Sequence, residues 1–201
     1  TKPNGGKGSA INYGIKKSKA KFIATLDADS YPEKNALLKM LPYFEDKKVM
    51  TVTPSMIVTK PRNFWERLQH AEYLFGIFLR KVFANLNAIH VTPGPLSIYR
   101  REFFEKHGLF DEKNLTEDNE IAMRIQKYKY KIENAIDATI ETIPPKTFKA
   151  LMKQRLRWYR GFLENCIRYK KLFNLSEYNF LAFILILAYV SILINFGYVI
   201  Y

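Results

Sequence analysis

Short apolar runs and helix-spaced apolar stripes take turns along the chain. Phe22-Ile-Ala-Thr-Leu26 is bounded by polar residues and is too short for a helix, so it predicts a buried strand of the kind found in parallel sheets. It runs directly into Asp27-Ala-Asp29. Ser30 and Pro32 then start a predicted helix whose stripe, Ala36, Leu37, Met40 and Leu41, ends before Pro42. Val49-Met-Thr-Val-Thr53 is β-rich and predicts the next strand, which makes strand, helix, strand and a parallel sheet. Phe64 to Leu86 reads as a long amphipathic helix with Trp65, Tyr73, Phe75 and Phe78 along it, either covering the sheet or lying near a membrane. Gly94-Pro-Leu-Ser97-Ile-Tyr-Arg100 is a tight loop entering a short strand, and a helix from Glu102 to Lys106 follows, closed by Gly108. Thr116 caps a further predicted helix with Ile121, Ile125 and Tyr128 on its inward face and Glu117 and Asp118 in its first turn.

The two ends differ in kind. Lys2-Pro-Asn4-Gly5-Gly6-Lys7-Gly8-Ser9-Ala10 is a glycine-rich loop leading into a helical pattern through Ile11 and Ile15. Its spacing is not that of a P-loop and no strand precedes it, so the Walker reading is dropped. A loop whose amides and Lys7 meet a diphosphate is chemically reasonable, and so is a solvated basic loop. At the other end Phe180 to Tyr201 is a run of 22 residues without formal charge, broken only by Ser191, Asn195 and Gly197. As a helix it would extend ~33 Å, enough to cross a bilayer, with a buried core helix as the alternative. Arg168, Lys170 and Lys171 just before it place the upstream residues on the cytoplasmic side.

Composition narrows the function classes. A hydrophobic content of 48% excludes general disorder, and 201 residues can bury one real core. The formal charge of +13 suits nucleic acid, an anionic membrane surface or phosphate-bearing substrates alike. A single cysteine, Cys166, excludes an internal disulfide, and the scattered His70, His90 and His107 make no zinc cluster with it.

Candidate chemistry gathers at a few points. Asp27 and Asp29 lie where a strand stops, the edge at which open α/β sheets bind ligands. Two such acids repel unless a cation lies between them, and Mg2+ or Mn2+ suits them because it keeps positions for water and phosphate oxygens. Alone, the pair is equally a polar turn. Asp118 reads either as a general base projecting into the cleft or as an acid that favours a helix dipole. Lys153-Gln154-Arg155-Leu156-Arg157-Trp158-Tyr159-Arg160-Gly161 is a basic aromatic helix of interfacial character. Its Trp158 offers a plane for a sugar or lipid, and Arg157 a fork for a diphosphate.

Taken in order, Asn4-Gly-Gly-Lys7 with Ala10-x-Asn12-x-Gly14, Asp27-Ala-Asp29, Gly94 to Arg100, Thr116-Glu-Asp118 and Gln154-x-x-Arg157-Trp158 resemble the inverting family 2 glycosyltransferases. The similarity is to the membrane-bound branch with cellulose, hyaluronan and poly-N-acetylglucosamine synthases. The resemblance implies an α/β fold: a partial GT-A, Rossmann-like mixed sheet flanked by helices, then an interfacial helix and a transmembrane helix. The divisions would be 1–146, 147–173 and 178–201. It implies that Asp27 and Asp29 meet the donor diphosphate and its Mg2+ or Mn2+, Asp29 ahead of Asp27 as direct ligand. Lys7 would touch the nucleotide part of the donor, Asp118 would be the catalytic base, and Arg157 would hold the diphosphate. Glu117, Gln154 and Trp158 would meet the acceptor. A nucleotide-sugar donor, with UDP-sugar favoured, a glycan or lipid acceptor and membrane lipid are the implied partners, with no nucleic acid. The implied place is the cell membrane, with the catalytic part facing the cytoplasm. Family members also carry an earlier strand-helix-strand half with further acids, to which nothing here corresponds, so the chain reads as the C-terminal part of such a domain. A catalytically inactive membrane-anchored binding protein and a basic nucleic-acid-binding domain are the alternatives.

Overall fold

The computed structural model describes residues 3–200, with side chains as far as Ile194. Thr1, Lys2 and Tyr201, and the side chains of Asn195 and Gly197, lie outside the described residues. The chain runs α1 (Gly6–Lys17), β1 (Phe22–Ala24), β2 (Ser30–Pro32), α2 (Ala36–Met40), β3 (Val49–Val58), α3 (Phe64–Asn85), β4 (Ile98–Arg100), α4 (Arg101–His107), α5 (Glu117–Lys127), β5 (Lys131–Thr142), α6 (Phe148–Arg168) and α7 (Leu175–Ile200). Tight 3-10 turns follow α2 and α6. The strands form one mixed sheet in the order β1-β4-β3-β5-β2.

Alternation along the strands builds two cores, one on each face. On β3, Val49 and Val52 face α2 while Met50 faces the opposite cluster of Ile23, Tyr99, Phe103, Ile121 and Ile125. A third cluster joins α6 to α7 through Phe162, Cys166, Leu172, Leu181 and Leu185.

Several expectations need correction. β1 and β3 are not neighbours: each pairs antiparallel with β4, which lies between them. The parallel pair is β3 with β5. β1 is therefore an edge strand, and Leu26, expected inside, is 53% exposed. Ser30 and Pro32 do not start a helix. They form β2, whose partner is the far half of β5, and a proline is tolerated there because the strand lies at the sheet's edge. The helix after them begins only at Ala36. The glycine-rich loop is shorter than its composition suggests, since α1 starts at Gly6 and Lys7 lies in its first turn. Thr116 occupies the position before α5, but its side chain makes no capping bond. Tyr128 follows the end of α5, is exposed, and stacks on His107 with ring centroids 3.8 Å apart.

α3 begins at Asn63 with a full capping box: the Asn63 side chain accepts from the Glu66 amide at 3.0 Å, and Glu66 returns the bond to Asn63 N–H. α7 is broken at Asn179 (φ 44, ψ −117). From Leu175 to Ile194 it is long and apolar enough to cross a membrane. Leu181, Leu185 and Ile192 are buried in the third cluster, while Phe180, Phe183, Leu187, Val190, Leu193 and Ile194 are exposed.

Candidate active site

The site is built where three loops meet the first turns of α1 and α5. Past β1 the backbone is pinned to the Gly94–Ser97 turn, because Thr25 N–H donates to Ser97 O at 3.0 Å and Thr25 Oγ1 to Gly94 O at 3.0 Å. That turn is tight: Leu96 is held in the left-handed region (φ 54), and Ser97 Oγ donates to Pro93 O at 2.5 Å. Gly94 lies directly under the ends of the Asp27 and Lys7 side chains. A Cβ there would lie 2.8 Å from Asp27 Oδ2 and collide with Lys7 Nζ.

Lys7 ties the site together. Its Nζ is 2.7 Å from Asp27 Oδ1 and 3.1 Å from Glu117 Oε1. Burial works against the Lys7 charge, but Glu117 and Asp27 outweigh it and hold the ammonium above its ordinary pKa. Asp29 stands apart, exposed, with Ser30 Oγ donating to its Oδ1 at 3.2 Å.

Asp118 lies in the first turn of α5, and its backbone is held from below. Thr92 donates to Asp118 O through N–H at 3.2 Å and through Oγ1 at 2.8 Å, and Tyr99 of β4 donates to Thr92 Oγ1 at 2.9 Å. Burial first, and then the like charge of Glu117, push the Asp118 carboxyl up to about 6; Lys7, the Asn119 N–H and Arg157 oppose them. An acid so placed is ionised at neutral pH yet more basic than a solvated one.

α6 closes the cleft. Arg157 Nη1 donates to Leu115 O at 3.2 Å, immediately before the Thr-Glu-Asp turn. Asn165 donates to Asn119 Oδ1 at 2.7 Å and Thr116 Oγ1 at 3.3 Å and accepts from Asn114 Nδ2 at 2.7 Å. Gly161 makes this approach possible, because a Cβ there would be 2.5 Å from Thr116 Cγ2. Trp158 carries the Arg155 guanidinium 4.5 Å above its ring, and Arg155 in turn pairs with Glu72 of α3. Gln154 Oε1 is buried and, among the described residues, without a hydrogen-bond partner.

The structure thus brings Lys7, Asp27, Glu117, Asp118 and Arg157 to one place and leaves Asp29 at its rim. Sequence reading missed Asn165, Thr92 and Tyr99, whose work is to hold the first turn of α5. Neutral polar residues inside helices and strands carry no spacing signal, so only the fold reveals them. No group of three or more His, Cys, Asp or Glu able to hold a metal occurs among the described residues.

Comparison with known proteins agrees with this architecture. The chain is similar to the beta-monoglucosyldiacylglycerol synthase of Trichormus variabilis, 28% identical over 82% of this chain and 36% of that protein. It is also similar to the poly-beta-1,6-N-acetyl-D-glucosamine synthase of Staphylococcus epidermidis, 28% identical over 82% of this chain and 40% of that one. The chain therefore spans well under half the length of these curated relatives. A mannosyltransferase from Pyrobaculum calidifontis, solved in complex with GDP-Man and Mn2+, shares the fold with a TM-score of 0.66 at 19% identity, over 83% of this chain and 44% of that one. The family model described as glycosyl transferase family group 2 matches residues 22–201, nearly the whole length, and this chain belongs to that family.

Proposed function

We propose that this chain is part of an inverting glycosyltransferase that moves a sugar from a nucleotide-sugar donor, UDP-sugar favoured, to a glycan or lipid acceptor. One observation carries the reading: Lys7 draws the Asp-Ala-Asp loop and the Thr-Glu-Asp turn into a single cluster, with an acid of raised pKa beside it.

In this mechanism Asp118 takes the proton of the acceptor hydroxyl. That oxygen attacks the anomeric carbon while the bond to the diphosphate oxygen breaks, and a single displacement inverts the centre. Asp27 and Asp29 would hold Mg2+ or Mn2+, which when bound offsets charge on the departing nucleoside diphosphate. The residues fit such an ion. Carboxylate oxygens are hard donors, Asp29 is exposed, and since no group of three such ligands occurs among the described residues the remaining positions would fall to water and phosphate oxygens. Lys7 would touch the nucleotide part of the donor and Arg157 the diphosphate. Glu117, Gln154 and Trp158 would meet the acceptor.

Residues 1–146 would form the catalytic part, 147–173 the interfacial element and 178–201 the span, with the catalytic part on the cytoplasmic side. Arg168, Lys170 and Lys171 support that orientation. Membrane lipid then accounts for the basic charge, with no nucleic acid involved.

The test is transfer by the full-length protein, in membranes or detergent, from a panel of radiolabelled UDP- and GDP-sugars with and without Mg2+ or Mn2+. Asp118→Asn should abolish transfer and leave donor binding largely intact, whereas Asp29→Ala should weaken metal-dependent donor binding. Transfer at the normal rate by Asp118→Asn would remove Asp118 as the base.

A further inference from the structure

Lys7 is an odd choice where it stands. It lies in the first turn of α1, a helix that contains no acid and that carries Lys16 and Lys17 in its last turn. A last turn suits cations, but the helix dipole puts its positive pole at the first. Lys106 of α4 finds its carboxylate one turn back on its own helix, Glu102 at 2.5 Å. Lys7 has none there and takes two from other elements, Asp27 at 2.7 Å and Glu117 at 3.1 Å. Those two carboxylates are what hold the ammonium at the wrong end of a helix.

Asp27 is the contested partner. Its Oδ1 holds the Lys7 ammonium, and its Oδ2 rests against Gly94, where a Cβ would stand 2.8 Å away. Asp29, two residues on, is exposed and takes the neutral Ser30 hydroxyl at 3.2 Å. A divalent ion can therefore land on Asp29 freely, but to reach Asp27 it has to take an oxygen from a cation. Glu117 lies deeper, its side chain 11% exposed against 29% for Asp27 and 43% for Lys7. An ammonium on a flexible stem has three donors, so Lys7 can release Asp27 and keep Glu117.

The charges do the rest. Ionised Asp27, Glu117 and Lys7 sum to −1, and a divalent ion would turn that into +1 with two cations on one carboxylate. A diphosphate reverses the excess. It offers the ammonium anionic oxygens at the start of α1, where the dipole also favours an anion. Each ligand removes the obstacle to the other, and a coupling of that kind is reciprocal.

We infer that Lys7 is a built-in counter-ion for Asp27 that a divalent cation has to displace, so that the ion and the donor diphosphate load together instead of the ion first. The inference rests on the glycosyltransferase reading and on Asp27 and Asp29 as its metal pair. Lys7 is thereby a positioning residue as well as a donor contact, acting on the ion through Asp27.

The test uses the full-length protein in detergent, with Mn2+ alone, UDP alone and the two together as probes. The paramagnetic resonance signal of free Mn2+ reports how much ion is bound, and calorimetry reports UDP. Lys7→Met should bind Mn2+ alone about fivefold more tightly than wild type, the scale of a partly exposed ion pair removed. Lys7→Gln, which keeps a donor without the charge, should show the same gain, and Lys7→Arg should match wild type. Adding Asp27→Asn to either neutral variant should abolish the gain, because the contested carboxylate is gone. Mn2+ should strengthen UDP binding in wild type, and by less in Lys7→Met. Equal or weaker Mn2+ binding by the two neutral variants would overturn the counter-ion, as would a gain that survives Asp27→Asn. An undiminished effect of Mn2+ on UDP in Lys7→Met would overturn the joint loading. Transfer from some donor with no gain in Mn2+ affinity would sink the counter-ion alone; the gain without transfer from any donor would sink the enzyme reading alone.

Discussion

Helices α5 and α3 both flank the candidate site, and they are turned opposite ways. α5 buries Ile121, Ala122 and Ile125 completely, as a helix packed on a core should. α3 exposes Phe75 at 62% and Phe78 at 60% while Gln69 is fully buried. Both are amphipathic in sequence, so the pattern announces a helix in each case but not which side is inside. α5 is held by the core it completes. α3 instead makes polar contacts, Gln69 to Pro145 and Glu72 to Arg155, and leaves an apolar face of the kind that marks contact with lipid or a partner surface.

The contrast can be broken in order of expected effect. Ile121→Ala removes a fully buried side chain from the core face of α5 and should cost about 2–5 kcal/mol in denaturant unfolding. Gly161→Ala drives a methyl group into Thr116 and should cost about 1–3 kcal/mol, with loss of transfer because the turn carrying Asp118 must shift.

The pH dependence tests what the burial of α5 does to its first turn. Only the carboxylate form of Asp118 accepts a proton, so kcat/KM should fall about tenfold per pH unit on the acid side of an inflection at about 6. Stability follows the same shift. The folded pKa lies above the unfolded one, so the contribution of Asp118 is fully present below the ordinary aspartate pKa of 3.8 and is lost as pH rises through about 6. Asp118→Asn should therefore melt above wild type at pH 7–8 and lose that advantage at pH 4, checked by calorimetry across the range.

Phe75→Ser is the smallest expected effect. On a face that buries nothing in the protein it should change stability in detergent by less than about 0.5 kcal/mol, while weakening retention on vesicles. A large loss of stability in detergent would show that another part of the protein covers this face.

These helices also show how far the sequence could be read. Of the charged motifs singled out in the sequence, Lys7 lies within ion-pair reach of both Asp27 and Glu117 in the fold. Strand neighbours were not legible in the same way. β5, the parallel partner of β3, runs Lys-Ile-Glu-Asn-Ala-Ile-Asp-Ala-Thr-Ile-Glu-Thr and has no apolar run, since charged residues alternate with its buried Ile132 and Ile140. With β5 unseen, Phe22–Leu26 was given a parallel partner, and Ser30-Tyr-Pro32 lost the strand that makes it β2.

The two kinds of contact that hold the first turn of α5 have one more consequence, for ionic strength. Lys7, 43% exposed at its side chain, Asp27 and Glu117 form a cluster of charges that added salt will screen. Asn114, Thr116, Asn119 and the wholly buried Asn165 meet through neutral amides and a hydroxyl, on which salt has little purchase. A halophilic or dilute medium would thus retune how the cluster attracts anions while the scaffold that aims Asp118 keeps its shape.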